Sequence, residues 1–268
     1  MSEATPARAT AQRNRDEVRV YGLNACLALF ARRPHDLRKV YLLESRIPQL
    51  KAVLAWGVQK KLGYRVVANA DLEKLAASQH HEGVCFEARK IPFLALTALL
   101  QRLPRAPQPA LLVWLDGVGN PHNIGAVLRS AANFGAAGAL LSADAAPALS
   151  GAAYRVAEGG AEAVPMARIA AGEDAHGALH HAGFALAATV PREGEALFGA
   201  RLQPRLVFAL GAEGEGLRRG LIDRADLHLT IPGSGAVESL NVAASAAVLF
   251  GEYWRQHRTP RPQRPPQR

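Results

Sequence analysis

Residues 229–254 read LTIPGSGAVESLNVAASAAVLFGEYW, and the fold turns on this stretch. A short β-like run ends at Ile231-Pro232. A glycine-rich turn follows, and Ser239-Leu240-Asn241 opens a long helix of small residues. Orphan N–H groups at a strand-to-helix junction point outward and are open to a ligand. Taken alone, the stretch is equally well a loop that carries Gly and Ser. Two upstream boxes shift the balance: LDGVGNPHNIGAVLRSAANFGAAGALL at 115–141 and LVFALGAEGEGLRR at 206–219. Each repeats the form of apolar run, glycine-rich turn and helix. Three such boxes place three loops at one edge of a parallel sheet, the edge where open α/β sheets bind ligands.

Around these boxes the chain alternates between strand-like and helical patterns. Strands are predicted at 111–115, 137–142, 184–190, 205–210 and 227–231. Helices are predicted at 123–134, 150–158, 173–182, 215–224 and 239–255. Such alternation implies a parallel sheet with helices on both faces. The front of the chain predicts a smaller α/β unit. Its helices fall at 22–33, 49–62 and 71–77, and its strands at 40–43, 64–68 and 83–88. The proline-spaced LPRAPQP marks 89–109 as a linker that can hold one short helix. The expected organisation is a disordered basic tail at 1–16, a small α/β domain at 17–88, the linker at 89–109, a larger domain at 110–256 and a disordered Arg/Pro-rich tail at 257–268.

Charge divides the chain. The net charge is +9, yet residues 110–254 hold nine Arg against fourteen acids, and no lysine follows Lys90. Residues 16–109 hold fifteen Lys/Arg against eight acids. A basic front half with basic tails suits a polyanion such as RNA. For the tails alone, a solubility role is as good a reading. No apolar run reaches membrane-spanning length, and MSEATPARATAQRNR has no secretory core, so neither membrane nor export is expected. Cys26 and Cys85 stand outside any metal-ligand spacing and read as buried thiols of a cytoplasmic protein. The pairs His80-His81 and His180-His181 are adjacent, so their rings point apart and no metal is expected.

Common nucleotide fingerprints are missing. The first turn, Gly117-Val118-Gly119 with the next glycine at Gly125, does not have G-x-G-x-x-G spacing, and the turn from Gly211 does not either. No P-loop and no G-x-S-x-G elbow occur.

At its three boxes the chain resembles the SpoU (TrmH-type) branch of the SPOUT RNA methyltransferases. The matching residues are Asn123, Gly125 and Arg129-Ser130-Ala131, then Leu210-Gly211, Glu213 and Gly216-Leu217, then Ile231-Pro232 and Ser239-Leu240-Asn241-Val242. The resemblance covers 110–256. YGLNACLALF and HHEGVCFEA in the front half are similar to the small substrate-binding domain often fused to such enzymes. The resemblance implies an α/β fold whose catalytic parallel sheet carries a deep trefoil knot, a rare exception to the usual connection rules. It also implies a smaller N-terminal RNA-binding domain, a homodimer with both subunits shaping the active site, and S-adenosyl-L-methionine as cofactor. The implied reaction is methyl transfer to a ribose 2′-hydroxyl of rRNA or tRNA, with rRNA favoured.

That chemistry needs orientation, a proton acceptor and exclusion of water. Arg129 matches the family's catalytic arginine. Arginine is a poor base, so its expected task is to orient the 2′-hydroxyl and a neighbouring phosphate. The plainer reading is a helix-surface Arg paired with an acid. Asn123 is expected to fix the first loop and help place Arg129 or substrate. Glu213 either pairs with Arg129 or caps a helix near Gly216. Ser239 and Asn241 are expected to meet substrate or neighbouring loops, and Ser239 is equally an N-cap of the last helix. The family match implies that backbone groups of Leu210, Gly211, Ile231 and Leu240 hold the cofactor, with Thr189 on its adenosine side. The chain departs from the family where a methionine commonly follows Ile-Pro: it has Gly233-Ser234-Gly235, and Glu238 adds an acid. The competing readings are an inactive RNA-binding or ribosome-assembly factor on the same fold and a nucleotide-dependent oxidoreductase. The five polar site residues count against the first and the missing fingerprint against the second.

Overall fold

A computed structural model describes residues 16–142 and 149–257. The tails read at 1–16 and 257–268 lie outside the described residues except for Asp16 and His257. The front unit contains β1 (Glu17–Tyr21), α1 (Leu23–Arg32), β2 (Leu37–Leu42), α2 (Lys51–Gln59), β3 (Tyr64–Val66), α3 (Asn69–Ala76) and β4 (Val84–Arg89). Its sheet runs β1-β4-β2-β3, with only the β2–β3 pair parallel. β1, five residues closed by Gly22, was not among the predicted strands.

The second unit begins inside the predicted linker. There β5 (Leu94–Ala95) and α4 (Leu96–Arg102) form, and β5 joins the larger sheet. The chain continues with β6 (Ala110–Asp116), α5 (Pro121–Asn133), β7 (Gly138–Leu141), α6 (Gly151–Ala157), α7 (Gly160–Ala163), β8 (Met166–Arg168), α8 (Ala175–His181) and β9 (Ala185–Thr189). It ends with β10 (Glu195–Ala196), β11 (Arg205–Gly211), α9 (Arg219–Ile222), β12 (Leu227–Thr230) and α10 (Val242–His257). All eight strands pair in parallel, in the order β10-β12-β9-β11-β6-β7-β8-β5. Central β6 is buried along its whole length, as a strand covered on both faces must be. Alternate residues serve opposite faces. Leu111, Val113 and Leu115 pack with α5, α6 and α10, while Leu112 and Trp114 pack with α4 and α8.

The two units share one core. Val20, Leu29, Val40 and Phe86 of the front unit belong to the same apolar cluster as Leu128, Tyr154 and Phe250. Buried ion pairing adds to the junction. Arg33 grips Glu162 with Nε to Oε2 at 2.7 Å and Nη2 to Oε1 at 3.0 Å, and Glu162 is 2% exposed. Burial works against the charge of Arg33, but Glu162 outweighs it and raises the pKa. Arg155 reaches back to Glu82 at 2.9 Å, and Glu82 accepts from the Leu23 N–H that opens α1. Among the described residues no helix is long and apolar enough to cross a membrane.

Candidate functional site

Every strand of the larger sheet points the same way, so the loops after β6, β9, β11 and β12 gather at one edge. The first loop ends at Asn120, whose side chain accepts from His122 N–H at 2.9 Å and caps α5, with Pro121 as the first helical residue. The loop after β11 folds tightly back: Gly216 N–H donates to Ala212 O at 2.9 Å. A Cβ on Gly211 would fall 2.1 Å from the Gly216 carbonyl carbon, so only glycine permits this closure. Gly214 and Gly216 hold φ of 86° and 72°, which keeps the loop non-helical and confines the helix predicted at 215–224 to α9.

Asn241 joins the three boxes. Its Nδ2 donates to Asn123 Oδ1 at 3.2 Å and also to Glu213 Oε1, while its Oδ1 accepts from Ala243 N–H at 2.8 Å. Asn241 is therefore the N-cap of α10. The helix begins at Val242 rather than at Ser239, so Ser239 does not cap it.

Beside this cluster lies a cavity of about 630 Å³. Thr189, Leu210, Gly211, Ile231 and Leu240 all line it, together with Glu213, Ser239 and Asn241. Apolar walls from Leu210, Leu217 and Ile231 combine with the exposed Glu213, Glu215 and Glu238 as an acidic rim. The volume lies within the range of small-molecule sites. Apolar walls with an acidic rim suit a flat ring that carries a cationic arm. The Thr189 hydroxyl donates to Ala209 O at 2.8 Å, tying β9 to β11 beside the cavity. Glu238 stands 4.0 Å from Arg192, across from the loop after β9. A second cavity of about 680 Å³ lies between the small sheet and α6. It mixes Glu17 and Glu87 with Arg19 and Lys90 and holds none of the candidate residues.

Arg129 is apart from the cluster. It does not line the 630 Å³ cavity. Its Nη2 lies 3.1 Å from Glu158 Oε2, and its side chain is 59% exposed. Of the two alternatives for Glu213, the pair with Arg129 does not form: Glu213 bonds Asn241, and Arg129 pairs with Glu158, as the plainer reading of a helix-surface arginine has it. The reason is helical phase: six residues past Asn123 is a turn of about 240° around α5, which aims Arg129 toward α6 and α7.

One polar network escaped the sequence reading. Asp116, 1% exposed at the end of β6, receives Arg218 N–H at 3.0 Å on Oδ2 and the Arg218 guanidinium at 2.5 Å on Oδ1. Ser142 Oγ donates to the same carboxylate at 3.1 Å and accepts from Trp114 Nε1 at 3.1 Å. This buried carboxylate pins the end of the 211–218 loop to β6. An aspartate closing an otherwise apolar run was the available signal. Among the described residues no group of three or more His, Cys, Asp or Glu is placed to hold a metal.

Known proteins resemble the chain across both units. Residues 110–251 match the SpoU rRNA Methylase family, and residues 19–94 match the RNA 2′-O ribose methyltransferase substrate-binding family. The chain is 38% identical over 246 residues to the uncharacterized tRNA/rRNA methyltransferase YfiF of Escherichia coli O157:H7, covering 91% of this chain and 69% of that protein. It is 32% identical over 245 residues to the 23S rRNA (guanosine-2′-O-)-methyltransferase RlmB of Coxiella burnetii, covering 91% and 97%. A solved RNA 2′-O ribose methyltransferase superposes with a TM-score of 0.75 at 26% identity, covering 94% of this chain and 92% of that one.

Proposed function

The chain belongs to the SpoU rRNA methylase family, and from that membership we propose that it is an S-adenosyl-L-methionine-dependent RNA methyltransferase acting on a ribose 2′-hydroxyl, with rRNA the favoured substrate. The observation that carries the reading is the joining of all three boxes by Asn241 beside a cavity lined by the five expected cofactor residues. S-adenosyl-L-methionine fits the lining. Leu210, Leu217 and Ile231 suit the adenine ring, and the acidic rim suits the sulfonium and ammonium charges. When bound, the cofactor supplies an electrophilic methyl group.

The chain's own residues orient the acceptor. Arg129 holds the ribose and a neighbouring phosphate. Asn123, Glu213 and Asn241 fix the loops that wall the cavity, and Ser239 faces substrate from the last loop. Because Arg129 does not line its own cavity, the reading includes a homodimer in which Arg129 of one copy serves the cavity of the other. The exposed Val237, Leu240 and Trp254 support such a contact. The trefoil knot belongs to the same reading: β11 inserts between β9 and β6, and the chain beyond β12 returns to pack α10 on α5. RNA is gripped by the small domain, where residues 45–70 hold five cations and no acid and where Tyr64 and Arg65 are exposed on edge strand β3. Cations hold phosphates and an aromatic face stacks on bases. The reading includes a cytoplasmic enzyme, which the two free buried thiols support.

The test uses purified full-length chain, S-adenosyl-L-methionine labelled on its methyl group, and rRNA from cells lacking this gene. Label recovered in a 2′-O-methylated nucleoside is the expected result. Label recovered only in base-methylated nucleosides, or none at all, refutes the reading.

A further inference from the structure

We infer that Glu158 and Asn24 are positioning residues for Arg129 and tie the small domain to the reacting centre; the inference rests on the reading of Arg129 given above. Arg129 lies on the face of α5 that meets α6 and α7. Helix approach there is very close. A Cβ on Gly160 would fall 2.6 Å from Leu128 O and 2.8 Å from Arg129 Cα, and one on Gly125 would fall 2.6 Å from Ala153 O. Between α6 and α7 the chain turns through Glu158, at φ 45°, and Gly159, at φ 96°. A long side chain in left-handed backbone is uncommon, and such strain persists only where the surroundings impose it. Here its N–H closes the turn onto Tyr154 O at 3.2 Å and Arg155 O at 3.3 Å.

The turn carries the Glu158 carboxylate back over α5, where Oε2 stands 3.1 Å from Arg129 Nη2. The same oxygen accepts from Asn24 Nδ2 at 3.4 Å, and Asn24 lies in the first turn of α1 in the small domain. The flanking contacts also come from that domain: Arg155 holds Glu82 on one side of the turn and Glu162 is held by Arg33 on the other. The small domain therefore fixes Glu158, and Glu158 fixes Arg129. A guanidinium has five N–H donors, so spending one on Glu158 leaves the others for substrate oxygens. An exposed ion pair adds little to stability. Its worth here is orientation, since a displacement of about 1 Å at a reacting group can cost about 100-fold in rate.

The test measures kcat, KM for rRNA from cells lacking the gene, Kd for S-adenosyl-L-methionine and Tm on full-length variants. Asparagine tolerates left-handed backbone, so Glu158→Asn keeps the fold while its shorter side chain no longer reaches Arg129. The expected result is a kcat lowered about 10- to 100-fold with cofactor Kd unchanged and Tm unchanged or raised. Glu158→Gln, which keeps the reach and one acceptor oxygen, is expected to lose less. Asn24→Ala is expected to lose about threefold, the worth of one weak hydrogen bond. An unchanged kcat in Glu158→Asn, or a kcat that falls only together with Tm, overturns the inference. A raised kcat overturns it in favour of a restraint on Arg129. Arg129→Ala in the same assay separates the two levels: wild-type turnover there refutes the role of Arg129 itself.

Discussion

Asn241 performs two tasks with one amide. It caps α10 through Oδ1 and joins Asn123 to Glu213 through Nδ2. The tasks separate by substitution. Aspartate caps a helix as well as asparagine does but sets a second carboxylate against Glu213. Asn241→Ala should cost about 1 kcal/mol of stability from the lost cap, seen in thermal unfolding. Asn241→Asp should keep most of that stability yet lose more methyl transfer than its Tm explains. Equal losses in both assays for Asn241→Asp would argue against a bridging role. At this scale the glycine-rich boxes marked a three-loop site, and the resemblance to the SpoU family singled out Asn123, Glu213 and Asn241 within it. It did not reveal that they bond to one another, which depends on how three distant loops meet. A surface Arg129 paired with an acid was the plainer reading, but its partner Glu158 was not legible: residues 115–141 set the phase of α5, and only the packed helices say which face meets α6.

Among the elements, α5 is the most constrained. α10 packs on one side and α6 with α7 on the other. Gly125 and Gly160 let those helices approach to backbone distance. Gly125→Ala should cost about 1–3 kcal/mol, because the new methyl falls 2.6 Å from Ala153 O in a core that does not yield freely. Denaturant unfolding reads that loss, and a variant as stable as the parent would refute the close packing. The strands of the second unit were legible where an apolar run ended in a glycine turn, as in β6 and β11. Strands β5, β8 and β10 are only two or three residues long and borrow their pairing from neighbours, so no local pattern announces them. The helix predicted from 215 shrank to α9 because Gly214 and Gly216 adopt positive φ.

At the scale of the molecule, the two units expected on either side of a linker share one apolar core, and β5 and α4 of that linker belong to the second unit. Composition and periodicity report local segments, so a core common to both was not legible. Cys26 and Cys85 lie within the front unit and report on its integrity. Burial pushes the Cys26 thiol well up, with Cys85 nearby adding to the effect, and burial takes Cys85 from an ordinary 9.0 to about 12. Thiolate is the reactive form, so neither should react with iodoacetamide at pH 8 until the chain unfolds. Both folded-state values lie above the unfolded one. The stability they reflect is complete below about pH 9 and is lost as pH rises toward 12. Rapid labelling of native protein at pH 8 would contradict that burial. The central claim is that this chain methylates ribose in RNA. Mapping 2′-O-methyl marks across total rRNA and tRNA from cells with and without the gene tests it most directly. The account predicts the loss of a 2′-O-methyl mark, in rRNA, restored by the wild-type gene and not by Arg129→Ala. An unchanged 2′-O-methyl map in cells lacking the gene would contradict it.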